Sequence, residues 1–146
     1  MANPSKEKGT REETRVVRFL RDVTGDRRIE RRALHGSKDM GDVRGIYAHG
    51  YEGVAEVKAH RHRTASMVAK WRGETTDERG NADAEFAALV IKLPNRPVGE
   101  CRVHLTVRDM MRSCYGMDFD CADELDEAWV TMTLAEWAGL IGGDPA

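Results

Sequence analysis

From residue 10 onward apolar side chains recur at helical period. Val16, Val17, Phe19, Leu20 and Val23 fall on one stripe, which predicts a helix over residues 10–23. Thr10 and Glu13 have capping-box spacing at its head. TGDRR breaks the pattern. Residues 28–34 read as a strand, followed by the polar loop HGSKDMG. Residues 42–48 and 53–59 read as two strands joined by the turn HGYEG. A second helix opens over 66–72, and GETTDERGNADA after it reads as an exposed polar stretch. The apolar run of 86–93 has strand length, PNRPVG turns the chain, and 101–107 alternates as a strand does. A short helix over 108–113 and a last strand over 129–131 follow. Thr133 and Glu136 repeat the capping-box spacing ahead of a final helix that ends at Gly142. The order α-β-β-β-α-β-β-α-β-α predicts an α/β fold, a central mixed β-sheet flanked by helices. One domain over 1–146 is expected, with 1–9 as a flexible tail.

Composition narrows the classes. A chain of 146 residues, 40% hydrophobic and 33% charged, suits one polar globular domain. No apolar run approaches the ~20 residues of a membrane span, and MANPSKEKGT carries no signal-peptide stretch. Three cysteines (Cys101, Cys114 and Cys121) without a CxxC pair argue against a disulfide framework or a four-cysteine zinc site. A cytoplasmic protein is expected.

The net charge of -2 hides an asymmetry. Up to Arg72 there are 17 Lys+Arg against 10 Asp+Glu, a balance of +7; the remainder carries -9. A basic half suits a polyanion partner such as DNA, or else the two halves neutralise one another on packing.

The strand 53–59 carries the densest chemistry. Alternation sends Glu56 and Lys58 to one face, with Ala55 and Val57 on the other. Asp42 starts the neighbouring strand, so Asp42 and Glu56 could share a Mg²⁺, a hard cation that prefers oxygen ligands. Lys58 could orient a water or neutralise charge developing in a transition state. Asp39 is an alternative to Asp42. Glu13 either completes the capping box with Thr10 or, from the border of the apolar stripe, points back to the sheet; Glu12 is its rival. KAHRHR follows the strand, with His60, Arg61 and Arg63 as candidate phosphate contacts, and Arg27, Arg28 and Arg31 flank the preceding one. His60 and His62 form an HxH pair that lacks a third ligand for zinc. The acidic run DFDCADELDE lacks EF-hand spacing and reads as a solvated loop.

KGTREETRVVRFLRD, GSKDMGDVRG and VAEVKAH together resemble the PD-(D/E)XK nuclease superfamily, and within it the archaeal-type Holliday junction resolvases also found in phages. The likeness covers residues 8–60. The family's KGxxxE motif falls on Lys8, Gly9 and Glu13, its GS loop and metal-binding Asp on Gly36, Ser37 and Asp42, and its ExK on Glu56 and Lys58. Gly41 stands where many superfamily members have proline, though junction resolvases often lack it. The resemblance implies a restriction-endonuclease-like core and a catalytic set of Glu13, Asp42, Glu56 and Lys58. Glu13, Asp42 and Glu56 would hold Mg²⁺, with Mn²⁺ able to substitute. Lys8, Ser37 and Lys38 join the candidate DNA contacts. The implied protein is a DNA-associated homodimer, cytoplasmic and of a kind phages also encode, that cuts branched DNA. A restriction-like, repair or flap nuclease is the alternative within the superfamily. A DNA-binding module on the same fold, holding DNA without cutting it, is the alternative from another functional class.

Overall fold

The computed structural model describes residues 3–33, 39–119 and 123–142. Helix α1 (Pro4–Thr24) is followed by β1 (Glu30–Arg31), β2 (Val43–Ala48) and β3 (Tyr51–Lys58). Then come α2 (Ala65–Asn81), β4 (Phe86–Ile91), a 3-10 turn (Val98–Glu100) and β5 (Arg102–Thr106). The chain closes with α3 (Val107–Tyr115), α4 (Glu124–Glu127), β6 (Trp129–Thr133) and α5 (Leu134–Ile141). The six strands form one mixed sheet in the order β1-β2-β3-β4-β5-β6. Every neighbouring pair is antiparallel except β3 and β4, which run parallel with α2 as their crossover. The fold is α/β, with helices on both faces.

The two covered faces explain the run FAALVI, which is buried at every position of β4 rather than alternating. On one face, Val16 and Leu20 of α1 and Trp137 and Ala138 of α5 pack on Ala55, Val57, Ala88 and Val90. On the other, Trp71 of α2 packs on Leu89 and Ile91, with Met67 and Val68 beside it. The expected split of β3 is therefore realised: Ala55 and Val57 enter the larger core, while Glu56 and Lys58 lie on the α2 side.

Four expectations are corrected. The first helix starts at Pro4, so residues 4–9 are helical rather than a tail. Asn3 Oδ1 accepts from the Lys6 N–H at 3.4 Å and proline stands at the first helical position, where its missing N–H costs nothing. Thr10 and Glu13 consequently lie inside the helix and form no capping box. The strand expected over 28–34 is two residues long. The stretch 73–81, expected as an exposed segment, continues α2, and Thr75 and Glu78 within it are buried. The acidic run is not simply solvated: Asp118 accepts from Arg108 and Arg112, and Asp126 from Arg108. The capping box of Thr133 and Glu136 forms as expected. Among the described residues no helix is long and apolar enough to cross a membrane.

Candidate active site

The site is built where β3 outruns its neighbour. Strand β2 begins at Val43, opposite Ala55, so Glu56, Val57 and Lys58 pair only with Leu89, Val90 and Ile91 of β4. The Val57 N–H on the open side still needs an acceptor. Asp42 Oδ2 provides it at 2.9 Å, while the Asp42 N–H bonds Ala55 O at 3.0 Å. This fixes Asp42 at the unpaired edge of β3, where groups from both faces of the sheet can meet. Gly41 makes the turn into it at φ 92°, a value proline cannot adopt. Farther along β2, Gly45 holds φ 75° at the irregularity between Val43 and Ile46, and a Cβ there would lie 2.2 Å from Arg28 O.

Glu13 approaches from α1. Gly9 and Glu13 are one helical turn apart on one face, and both line a cleft of about 350 Å³ with Lys8, Asp42, Glu56, Lys58, His60 and Arg61. Of Glu12 and Glu13, only Glu13 lines the cleft. Glu12 is buried away from the cleft, with Arg15 Nη1 at 3.1 Å and Lys92 Nζ at 3.7 Å. A Cβ on Gly9 would meet no atom within 4 Å, so the glycine faces open space.

The carboxyl groups follow one another in a chain: Glu13 to Asp42, Asp42 to Glu56, and Glu56 to Glu78. Burial, then the charge of Asp42 and a hydrogen bond with it, raise the Glu13 pKa to about 7 against the pull of Arg31. Burial and the carboxyls of Glu78 and Asp42 push Glu56 far above the usual carboxylate range. Glu78 rises to about 7, chiefly through burial, against a hydrogen bond with Glu56 that lowers it and with Asp39 and Asp42 adding to the rise. Lys58 Nζ lies 3.5 Å from Glu56 Oε1 and 3.7 Å from Glu74 Oε2. Burial works against its charge, yet Glu56, Glu74 and Asp42 outweigh it and raise the Lys58 pKa. Lys58 and the neighbouring carboxyls thus pull in opposite senses on the Glu56 proton. Burial and two carboxyl neighbours outweigh one ammonium that Glu74 also shares, so the net effect on Glu56 is upward and favours its protonated form.

Glu78 and Asp39 complete this picture. Sequence reasoning missed Glu78 because its stretch has no apolar periodicity. The signal was the i, i+4, i+7 spacing of Trp71, Thr75 and Glu78, the three buried positions of α2.

The expected basic residues divide. Lys8, His60 and Arg61 line the cleft, with the His60 ring 5.0 Å from that of Trp71. Arg31 stands at its flank, 3.9 Å from Glu13. Arg28 is engaged by Asp26 and lies 3.9 Å over the Tyr47 ring. Arg27 borders a separate hollow with Arg18 and Arg21. Arg63 acts on His104, whose pKa is held down to about 4 by burial first and then by Arg72, Arg63 and Arg102. Ser37 and Lys38 lie outside the described residues.

Glu13, Asp42 and Glu56 offer carboxylate oxygens only, which suits a hard divalent cation, and Glu56 Oε2 is buried without a hydrogen-bond donor, but among the described residues the acids whose oxygens all come within 4.8 Å of one another are Asp39, Glu56 and Glu78. A cation there would satisfy an oxygen that otherwise needs a proton. No protein-family model, curated protein or solved structure matches this chain.

Proposed function

We propose that the chain is a Mg²⁺-dependent DNA endonuclease of the PD-(D/E)XK type, acting on four-way junctions as a homodimer. The observation that carries this reading is the convergence of Glu13, Asp42, Glu56 and Lys58 on one cleft that Lys8 and Arg61 also line. The α-β-β-β-α-β order from α1 to β4, with the ExK strand at its centre, supports a restriction-endonuclease-like core.

Glu13, Asp42 and Glu56 would hold Mg²⁺, or Mn²⁺ in its place. Bound there, the cation supplies Lewis acidity to a phosphate oxygen and acidifies a coordinated water. The chain's own residues do the rest. Lys58 stays protonated because three carboxyl groups surround it, which suits it to stabilise developing negative charge rather than to remove a proton. Lys8 and Arg61 offset the repulsion between a carboxylate-rich site and the DNA backbone, and hold phosphates without reading sequence. Asp42 has a second duty, since its bond to Val57 N–H ties the ligand geometry to the edge of β3.

A four-way junction is cut at symmetric points, which a two-fold dimer matches with one operator. The apolar Met67–Trp71 segment of α2 is committed internally and is not free for such an interface: Trp71 is buried, and Met67 and Val68 pack against its cluster. Among the described residues the exposed large apolar side chains are Val23, Tyr47, Tyr115, Met117 and Phe119, and the last three, at the end of α3 and just after it, are the ones we assign to that role.

Purified protein with Mg²⁺ is to be tested on a synthetic four-way junction beside flap, duplex and single-stranded DNA. Paired symmetric cuts in the junction are expected. Cutting confined to duplex or flap moves the reading to another nuclease of this type. Binding without any cleavage, in Mg²⁺ or Mn²⁺, overturns it in favour of a DNA-binding module.

A further inference from the structure

We infer that Asp39, Glu56 and Glu78 form a second seat for a hard divalent cation, on the α2 side of Glu56 and distinct from the seat that Glu13 and Asp42 would share with it. One carboxylate oxygen from each of the three lies within 4.8 Å of the others. Proximity of acids alone would carry little. The second observation is that Glu78, only 3% exposed, has its Oε2 buried with no hydrogen-bond partner, as does Glu56 Oε2. Two buried carboxyl groups side by side with no donor from any other residue are costly when ionised, so this pair either keeps a proton between its members or takes a cation in its place. Among the described residues no Lys or Arg forms an ion pair with Glu78. Lys58 is turned to Glu56 Oε1 and Glu74.

The surrounding bonds hold these groups in place. Asn81, three residues after Glu78 on α2, donates from Nδ2 to Asp39 O at 2.8 Å. Asp39 Oδ1 accepts from Gly41 N–H at 3.0 Å, leaving Oδ2 available. The loop before β2 is thereby fastened to the same stretch of α2 that carries Glu78. Asp39 is exposed and gives the two buried acids a route to solvent. Oxygen ligands only, with three formal charges and an open side, suit Mg²⁺, Mn²⁺ or Ca²⁺, which keep waters in their coordination shells, rather than zinc. Glu56 would contribute one oxygen to each seat. The inference does not depend on the chain cutting DNA.

The test is Mn²⁺ titration of the full chain by calorimetry and electron paramagnetic resonance, with no DNA present. Wild type is compared with Glu78→Gln, Asp39→Asn and Glu13→Gln. Glu78→Gln and Asp39→Asn are each expected to weaken one Mn²⁺-binding event at least tenfold, while Glu13→Gln leaves that event within twofold. Asp39 is exposed, so its variant keeps the test decisive if the Glu78 variant folds poorly. Wild-type Mn²⁺ binding in both the Asp39 and Glu78 variants overturns the inference, as does a wild-type protein that binds no Mn²⁺ at millimolar concentration. Failure of the nuclease reading is scored separately, by DNA cleavage.

Discussion

Replacing Glu56 by Gln should be nearly silent in the cation-free protein and severe once a cation is supplied. Burial, Glu78 and Asp42 favour the protonated form of Glu56, and Gln is close to an isostere of that neutral acid. The exchange trades one neutral hydrogen-bonding group for another. It should cost less than about 1 kcal/mol, or under about 4 °C in melting temperature for a chain of this size. The competing account takes Glu56 as ionised and held by Lys58 at 3.5 Å. Breaking a buried pair costs about 3–5 kcal/mol, which corresponds to roughly 6–20 °C. Cation binding then separates the two proteins. A ligand at 100 times its Kd stabilises the folded form by about 2.7 kcal/mol, or about 5–10 °C. Wild type should show that gain with Mn²⁺, and Glu56→Gln should lose nearly all of it. The assay is thermal melting at pH 7.5, in chelator and in Mn²⁺. A cation-free variant melting more than 10 °C below wild type would refute the neutral-acid argument. Equal Mn²⁺ stabilisation of the two proteins would remove Glu56 from the ligand set.

Cation-free stability should fall as pH rises through about 7. Glu13 and Glu78 both have pKa values raised from 4.5, so their contribution is complete below that value and lost above about 7. Melting temperatures in chelator should therefore be higher at pH 6 than at pH 8.5, with Mn²⁺ narrowing the gap; the opposite slope would contradict the burial of these acids. Lys58→Ala should slow cleavage by ~10²-fold or more while Mn²⁺ still binds, as expected for a group that stabilises developing charge; loss of Mn²⁺ binding instead would make it structural. Gly9→Ala should stabilise α1 by about 0.5–1 kcal/mol yet weaken DNA binding, because the added methyl occupies open space in the cleft; unchanged affinity would show that DNA keeps clear of this turn. Lys8→Ala with Arg61→Ala should reduce the slope of log affinity against log salt by about 0.9 for each phosphate no longer neutralised on duplex arms. Arg108→Ala with Arg112→Ala should leave that slope alone, since both arginines are engaged by Asp118, and should lower the melting temperature instead.

The order of elements was legible because each rests on a local pattern. The stripe from Val16 to Val23 gives α1, the unbroken FAALVI gives β4, and Thr133 with Glu136 gives the head of α5. Glu56 and Lys58 were legible for a similar reason, since strand alternation alone puts them on one face. What escaped depended on contacts between distant segments. Glu78 lies in a run of polar residues whose burial follows from α2 crossing the sheet, and its one local mark, the helical spacing from Trp71 and Thr75, is carried by polar residues that no apolar pattern picks out. The start of α1 is obscured for a smaller reason: the Asn-Pro pair at residues 3 and 4 is itself a helix-start signal, but it competes with the capping-box spacing further on. The pairing of Arg108 and Arg112 with Asp118 is likewise invisible until α3 is folded back on the segment after it.

The parallel pairing of β3 with β4 has a kinetic consequence. Two parallel neighbours cannot be closed by a hairpin, so the central seam of the sheet forms only when the 17-residue helix between them has been laid across one face. That docking step brings Glu78 against Glu56. The most demanding non-local event in assembling the sheet is therefore also the one that compresses like charges, and its rate is tied to what neutralises them. Refolding should quicken when protons or a hard cation are plentiful and slow in chelator at alkaline pH, even for a chain whose remaining strands are joined to their neighbours antiparallel.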